Sequence, residues 1–205
     1  HGDSLSRASN ACHKVSSVGD MSNRNWLKKT LSDRWHTELI PATQEQISEL
    51  ERNAEFYSGV LQKQYLPCYP KLEISDKREG LDLQPRKFYM LSLGANQGYR
   101  EWPVDYYAEI AKLIYKKTGW RGLICGTEQE RYLGEQLQNI CDAPIKNYTG
   151  RTTLSELAWL LKKSQILISN ETGTAHISSA VGTSTVCILG GGHFGRFVPY
   201  PDLPG

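Results

Sequence analysis

Residues 165–189, QILISNETGTAHISSAVGTSTVCIL, place a helical pattern between two strand patterns. The apolar runs QILIS at 165–169 and STVCIL at 184–189 are bounded by polar turn residues, which is typical of buried strands. The small residues at 173–181 favour a short helix that ends at Gly182, since glycine readily adopts the left-handed conformation of a helix terminus. A strand, a helix and a second strand joined by short turns predict one parallel βαβ crossover.

The same alternation of strand and helix patterns begins at residue 87. Connections between the predicted elements are short, which is the pattern of a parallel sheet. We therefore predict an α/β fold, a Rossmann-like parallel sheet with helices on both faces. The upstream strands are predicted at 87–94, 121–126 and 144–148, and the helix starts at Pro103 and at the capping boxes Thr127–Glu130 and Thr153–Glu156.

The chain before residue 66 carries one strong helix pattern. Residues 1–40 are polar and are predicted to be irregular. Residues 43–64 are predicted to form a helix, because a Thr43–Gln46 capping box precedes apolar residues at three- and four-residue spacing. The predicted apolar stripe comprises Ile47, Leu50, Ala54, Tyr57 and Leu61.

The stripe of this helix has little apolar sequence to pack on within residues 1–65. We therefore expect residues 1–65 to be the residual end of an N-terminal domain whose earlier strands are absent from this chain. Residues 66–86 contain prolines and a mixed charge run with weak periodicity, so they are predicted to be a linker. Residues 87–205 then form the C-terminal domain.

The composition is that of an ordinary globular protein, with 22% charged and 39% hydrophobic residues. The formal net charge of +2 is too small to favour nucleic acid or an acidic membrane surface as a partner. No apolar run approaches the roughly 18 residues needed to cross a bilayer, and no signal peptide is recognisable. The cysteines include no C-x-x-C pair, so we expect reduced thiols and a cytoplasmic location.

Ligands of open α/β sheets bind beyond the carboxyl ends of the strands, so the loops there are candidate sites. The loop at 94–103 is glycine-rich, and its N–H groups, Asn96 and Arg100 are candidates for holding a phosphate. The alternative is a solvated crossover loop with an ordinary surface arginine. Glu128 is either an acceptor for ligand hydroxyls or a carboxylate that only favours the helix dipole. Gly150 offers a similar choice between a ligand loop and a capped helix start.

The stretch ETGT, which begins at Glu171, combines an acid with a helix start. The helix N-terminus is partly positive, so donors of Thr172, Gly173 and Thr174 are candidates for binding a phosphate. Glu171 would repel that phosphate but accepts hydrogen bonds from sugar hydroxyls. The pattern favours a ligand with an anionic part and a hydroxylated part, such as a nucleotide sugar. His176 is either a packing histidine or part of this site.

The loop GGGHFG after the last predicted strand matches the G-x-G-x-x-G of dinucleotide sites, but neither a helix nor a suitably placed acid follows it. We therefore predict a loop on the ligand side of the sheet and no dinucleotide site. The five histidines are scattered along the chain, which gives a metal site little support.

Four motifs in order resemble glycosyltransferase family 9, the bacterial lipopolysaccharide heptosyltransferases and their relatives. The match spans about residues 88–200, and residues 19–65 resemble the end of the family's first domain. The motifs are G-A-x-x-x-x-R-x-W-P, C-G-T-E, Y-T-G-R-T-T-L-S-E-L-A-W-L-L and I-S-N-E-T-G-T-A-H-I-S-S-A-V-G-T.

This resemblance implies a GT-B architecture, with two Rossmann-like domains and the active site in the cleft between them. It implies an inverting glycosyltransferase that transfers a heptose or hexose from a nucleotide sugar, commonly ADP-heptose, to a lipid-linked saccharide in lipopolysaccharide synthesis. It implies no essential metal or cofactor. The implied location is the cytoplasm, with peripheral association at the inner face of the bacterial inner membrane. This chain is then mainly the donor-binding part.

Two positions depart from the family pattern. Arg100 stands where the family usually has a lysine near the diphosphate, and Glu171 stands where it has an aspartate that contacts the sugar. Arginine replaces a point charge by a planar fork, and glutamate is longer than aspartate by one methylene. Both departures leave the donor sugar open.

The remaining carry-over follows the motifs. Glu128 matches a glutamate that faces the nucleoside, Thr172, Gly173 and Thr174 match the turn that grips the diphosphate, and His176 matches its histidine. The family's catalytic base, an aspartate near the start of the first domain, has no identifiable counterpart. Two other functions stay open: a non-catalytic nucleotide-binding module and a nucleotide-sugar epimerase of GT-B type.

Overall fold

The chain divides into two compact units, one formed by His1–Tyr69 with His193–Gly205 and the other by Pro70–Gly192. Within them, the computed structural model describes residues 2–18, 26–74, 87–192 and 194–203. Residues 75–86 of the predicted linker lie outside the described residues. None of the described helices combines the length and the apolar character needed to cross a bilayer.

The first unit contains a two-stranded parallel sheet. The prediction of irregular structure over residues 1–40 is therefore wrong. Val15 pairs with Glu38 and Ser17 with Ile40, and such pairing between distant segments leaves no local periodicity in the sequence. The elements are α1 (Gly2–Ala8), β1 (Val15–Ser17), α2 (Trp26–Asp33), β2 (Glu38–Ile40) and α3 (Glu49–Leu61).

Helix α3 begins later than predicted, because a second capping box is used. Ser48 Oγ accepts from Glu51 N at 3.3 Å, and Glu51 Oε2 accepts from Ser48 N at 2.9 Å. The predicted Thr43–Gln46 box is wrong. The N–H of Thr43 instead donates to Glu55 Oε1 at 3.1 Å, which ties the preceding segment to the side of the helix.

The predicted apolar stripe of α3 is buried only in part. Tyr57 and Leu61 are 55% and 54% exposed, whereas Ala54 and Arg52 are buried. The guanidinium of Arg52 donates to backbone carbonyls of the segment before the helix, which satisfies the buried cation. The face that packs is thus set by the preceding segment, and periodicity alone did not identify it.

Residues 194–203 belong to the same unit as α3. Arg196 Nε donates to Glu49 Oε1 at 2.6 Å, and Arg196 O accepts from Glu49 N at 2.8 Å. Tyr69 Oη donates to Pro201 O at 2.9 Å. This segment therefore lies against the start of α3 and against Tyr69. The predicted boundaries, by contrast, assign it to the C-terminal domain. The predicted boundaries themselves stay a prediction.

The second unit contains a parallel five-stranded sheet in the order β5-β4-β3-β6-β7. The predicted α/β fold is confirmed. From β3 the chain proceeds to β4 and then β5 on one side. It then returns to β6, on the other side of β3, and continues outward to β7. The strands are β3 (Phe88–Ser92), β4 (Arg121–Cys125), β5 (Ile145–Asn147), β6 (Leu167–Asn170) and β7 (Thr185–Ile188), and the helices are α4 (Val104–Thr118), α5 (Arg131–Ile140), α6 (Leu154–Lys163) and α7 (Gly173–Ala180).

Helices cover both faces of this sheet. Alternate residues of β3 point to opposite faces, as strand geometry requires. Tyr89 packs in one core with Tyr107 of α4 and Leu137 of α5. Met90 packs in the other core with Leu160 of α6, and the partly buried Ile177 of α7 packs against that core. Burial of both faces explains why the strands read as continuous apolar runs.

The local signals for the helix ends in this unit are confirmed. Pro103 precedes α4, and Gly119 ends it with φ +70°. The capping boxes at Thr127–Glu130 and Thr153–Glu156 both form. The first of these opens a short 3₁₀ turn, Glu128–Glu130, that leads into α5.

Candidate functional site

The loops that follow all five parallel strands lie at the carboxyl edge of the second unit's sheet. The crossovers change direction between β3 and β6, which are neighbours in the sheet. In open α/β sheets the crevice at such a switch point is where ligands bind. The loop after β3 carries Arg100, and the turn after β6 carries Glu171, so the predicted residues fall at this point.

The switch point is bridged by a partly buried ion pair. Arg100 Nη2 donates to Glu171 Oε2 at 2.6 Å, and the two side chains are 24% and 8% exposed. The arginine sits at the end of the 3₁₀ turn Gly98–Arg100. A Cβ placed on Gly190 would lie 3.7 Å from Arg100 Nε, so the loop after β7 also borders this pair. Partial burial makes this pair electrostatically stronger than a surface pair.

The start of α7 is open. Thr172 is the N-cap residue in an extended conformation, and its side chain makes no capping hydrogen bond. A Cβ placed on Gly173 would meet no atom within 4 Å. The amides of Gly173 and Thr174 belong to the first turn, where N–H groups have no intrahelical acceptor. Donors, a partial positive charge and free space therefore coincide here, as an anion site requires.

Side-chain hydroxyls fix the turn before α7. Ser92 Oγ donates to Thr174 Oγ1 at 3.4 Å, which joins the end of β3 to the first turn of α7. Ser169 Oγ and Thr172 Oγ1 lie 3.4 Å apart. His176 is half-buried on the same helix, and Asn96 is exposed on the loop after β3.

Glu128 and Gly150 form a second group of predicted residues. Glu128 Oε2 accepts from Arg131 Nη2 at 2.5 Å, and this hydrogen bond holds the pKa of the exposed Glu128 carboxyl below its ordinary value. Gly150 has φ +69°, and a Cβ there would overlap the Glu128 carboxylate. Glycine is therefore required at 150 both for its backbone conformation and for the close approach.

The structure thus brings the predicted residues together in two groups along one edge. Arg100 lies with Glu171 and the residues after it, whereas Glu128 lies with Gly150. Gly94, at the start of the Arg100 loop, lies against Glu130 of the loop after β4, because a Cβ there would overlap the Glu130 side chain. The described hydrogen bonds include none that joins Glu128 directly to Arg100.

Asn170 is a residue of this edge that the sequence predictions missed. Its side chain is 1% exposed. Its Nδ2 donates to Leu93 O at 2.5 Å and to Gly94 O at 3.4 Å, and its Oδ1 accepts from Trp102 N at 3.1 Å. Both ends of the Arg100 loop are therefore held by one buried amide. The available signal was a polar residue that ends an apolar strand immediately before the ETGT turn.

The buried thiol of Cys125 and the half-buried thiol of Cys187 lie near these loops. Burial raises the pKa of Cys125 to about 12, and burial followed by the charge of Glu171 raises the pKa of Cys187 to about 11. Both therefore stay protonated at neutral pH and are poor nucleophiles. All five cysteines are free. Across the described ranges, no three histidine, cysteine or acidic side chains are grouped so that they could hold a metal ion.

Comparison with known proteins gives one family. The sequence model of glycosyltransferase family 9 (heptosyltransferase) matches residues 4–203. The lipopolysaccharide core heptosyltransferase OpsX of Haemophilus influenzae is 26% identical over 120 residues, which are 58% of this chain and 34% of that protein. Lipopolysaccharide heptosyltransferase 2 of Salmonella typhimurium is 23% identical over 60% of this chain and 38% of its own length. The chain thus spans about a third of the length of these curated relatives.

Two solved structures share the fold. The ADP-heptose lipopolysaccharide heptosyltransferase II of E. coli superposes with a TM-score of 0.67 at 15% identity, covering 86% of this chain and 56% of that protein. The family 9 glycosyltransferase of Veillonella parvula superposes with a TM-score of 0.65 at 15% identity, covering 90% and 53%. The likeness agrees with the GT-B type fold expected from the motifs.

Proposed function

Because this chain belongs to glycosyltransferase family 9, we propose that it binds a nucleotide-sugar donor at the carboxyl edge of its five-stranded sheet. It would do so as the donor-binding part of an inverting glycosyltransferase of lipopolysaccharide synthesis. The acceptor is a lipid-linked saccharide, and the enzyme works in the cytoplasm at the inner face of the membrane. No metal ion or cofactor takes part in this proposal.

One observation carries this proposal. The open start of α7 lies beside a partly buried Arg100–Glu171 pair at the switch point of the sheet. An unpaired helix start, a cation and an acid provide complementary sites for a diphosphate and for a hydroxylated sugar. A turn without ligand contacts would need neither the open amides nor a buried acid.

The proposed roles follow from the contacts. The amides of Gly173 and Thr174 and the guanidinium of Arg100 bind the diphosphate. Glu171 accepts from a sugar hydroxyl with Oε1, since Oε2 is occupied by Arg100. The hydroxyls of Thr172 and Thr174 are further donors for the diphosphate.

The second group of residues is proposed to face the nucleoside. Glu128 is 60% exposed at its side chain, so it can accept hydrogen bonds from ligand hydroxyls without breaking its pair with Arg131. Gly150 keeps the backbone close to Glu128. Asn96, on the loop after β3, and His176, on α7, are proposed to line the same donor site.

The proposed reaction is a displacement at the anomeric carbon. The acceptor oxygen forms the new bond to that carbon, and the bond between the carbon and the diphosphate oxygen breaks. The diphosphate leaves with the electron pair, and a base takes the proton of the acceptor hydroxyl. Arg100 and the α7 amides stabilise the charge that develops on the leaving diphosphate, an electrostatic effect that is large in such sites.

ADP-heptose is the proposed donor. The relatives are heptosyltransferases by name, and one solved neighbour, the E. coli heptosyltransferase WaaC, was crystallised with ADP-2-deoxy-2-fluoro heptose. That neighbour superposes with a TM-score of 0.57 at 15% identity. Its ligand therefore supports the choice of donor only through the shared fold.

The test is a calorimetric and thermal-shift panel of ADP-, UDP- and GDP-sugars. We expect ADP-heptose to bind and to stabilise the chain by about 2.7 kcal/mol at a hundredfold excess over Kd. Failure of every nucleotide sugar in the panel to bind would contradict the proposal. Turnover that needs no saccharide acceptor would instead favour an epimerase.

A further inference from the structure

The charge balance at the switch point raises a question that sugar binding alone does not answer. An asparagine or glutamine at position 171 would also accept a hydrogen bond from a sugar hydroxyl. Glu171 instead places a buried negative charge directly before the amides of α7, which are proposed to hold an anion. Such a charge weakens the binding of every anion at this place, and it weakens the more highly charged of two anions more.

The field of Glu171 acts over this corner of the fold. Its charge contributes to the raised pKa of Cys187 on the neighbouring strand, after burial itself. Its Oε2 holds Arg100, so the cation proposed to contact the diphosphate is already partly neutralised. A ligand at the start of α7 therefore meets a nearly balanced Arg100–Glu171 pair, whose acid directly precedes the N-cap residue Thr172.

The donor and the product differ in charge at this place. In a nucleotide sugar the terminal phosphate is esterified and carries one negative charge next to neutral hydroxyls. After transfer, the nucleoside diphosphate has a free terminal phosphate with a second pKa near 6, so it gains about one half to one negative charge at pH 7. If Glu171 faces the sugar, that added charge appears next to its carboxylate.

We propose that Glu171 is a specificity-determining residue that favours the nucleotide-sugar donor over the nucleoside diphosphate product by repelling the free terminal phosphate. This inference rests on the proposed function of the site. Its consequence is that the charge of Glu171, and not only its hydrogen-bonding capacity, limits product inhibition and speeds product release.

The experiment compares Glu171→Gln and Glu171→Asp with the wild-type chain by calorimetry, using ADP and ADP-heptose as the two ligands. Glutamine keeps the shape and removes the charge, so we expect ADP to bind about five- to tenfold more tightly. ADP-heptose binding should weaken by no more than about threefold. Aspartate keeps the charge, so the ratio of the two Kd values should stay near that of the wild type.

Glu109→Gln is the matched control, because Glu109 is exposed on α4 and outside the site. It should change neither Kd. A ratio that is unchanged in Glu171→Gln, or a loss of ADP affinity equal to that of ADP-heptose, would overturn the inference while leaving the proposed function intact. Absence of binding of both ligands to the wild-type chain would overturn both. Thermal unfolding of each variant shows whether it is folded.

Discussion

Two helix starts at the same edge of the sheet satisfy their first N–H groups in different ways. At α6, Thr153 Oγ1 accepts from Glu156 N at 3.3 Å, and Glu156 Oε2 accepts from Thr153 N at 2.7 Å. At α7, Thr172 makes no capping bond, and the space above Gly173 is open. The first start is capped within its own sequence, whereas the second has no side-chain cap, which leaves donors for the ligand proposed above.

The two starts also differ in how they are held in place. The α6 start is fixed by its own cap, within four residues of sequence. The α7 start is preceded by Asn170 and Glu171, which bind the loop after β3. An uncapped helix start is thus positioned by contacts to a neighbouring loop, and this leaves its amides free to act. Three substitutions test that difference, and a fourth tests the exposed Glu128–Arg131 pair.

Asn170→Ala should have the largest effect. It leaves the Trp102 N–H and the Leu93 carbonyl without their buried partner, so we expect the free energy of unfolding to fall by about 3 kcal/mol. Chemical denaturation measures the loss. Asn170→Asp keeps an acceptor for Trp102 N–H, but its second oxygen faces the Leu93 carbonyl where the amide donated. Its free energy of unfolding should therefore lie between those of Asn170→Ala and the wild type. Wild-type stability in both variants would show that α7 is not held through Asn170.

Gly173→Val should remove ligand binding without a comparable loss of stability. A branched side chain at the first position of α7 enters open space in the structure but covers the amides. We expect the Kd for ADP-heptose to rise about tenfold or more, equivalent to about 1.4 kcal/mol. Calorimetry measures the Kd, and the melting temperature serves as the control. An unchanged Kd would mean that the anion does not bind at this helix start.

Thr153→Ala should have the opposite signature. Loss of the α6 cap should lower the free energy of unfolding by about 1 kcal/mol and leave the Kd for ADP-heptose unchanged. Ser155→Ala, at an exposed position of the same helix turn, is the matched control and should be neutral. A change in Kd for Thr153→Ala would indicate that the two starts are not independent.

Glu128→Gln should have the smallest effect on stability. The Glu128–Arg131 pair is local and largely exposed, and such pairs contribute little. The lowered pKa of Glu128 gives the sign of its pH dependence: its contribution is present above the ordinary pKa of glutamate and is lost as the pH falls through the lowered value. We expect no measurable change in melting temperature at pH 7. A clear drop would show that the exposed pair is structurally important.

Much of the second unit follows from short stretches of sequence. The strands, the glycine that ends α4 and the capping boxes at Thr127 and Thr153 depend on residues within one or two turns of each other. The same local rule failed at Thr43, because Ser48 and Glu51 offer a competing cap and the Thr43 N–H is used by Glu55. Local signals thus identify that a helix exists better than they identify which cap it uses.

The sequence by itself determined the α/β alternation, the helix starts at Thr127 and Thr153, and the motifs of the family. Only the tertiary structure decided the pairing of β1 with β2, the partner of Glu171 and the role of Asn170. Arg100 and Glu171 are 71 residues apart, and they meet because β3 and β6 are neighbours in the sheet. Caps and strands are specified by adjacent residues, whereas a site at a switch point exists only once distant loops share one edge.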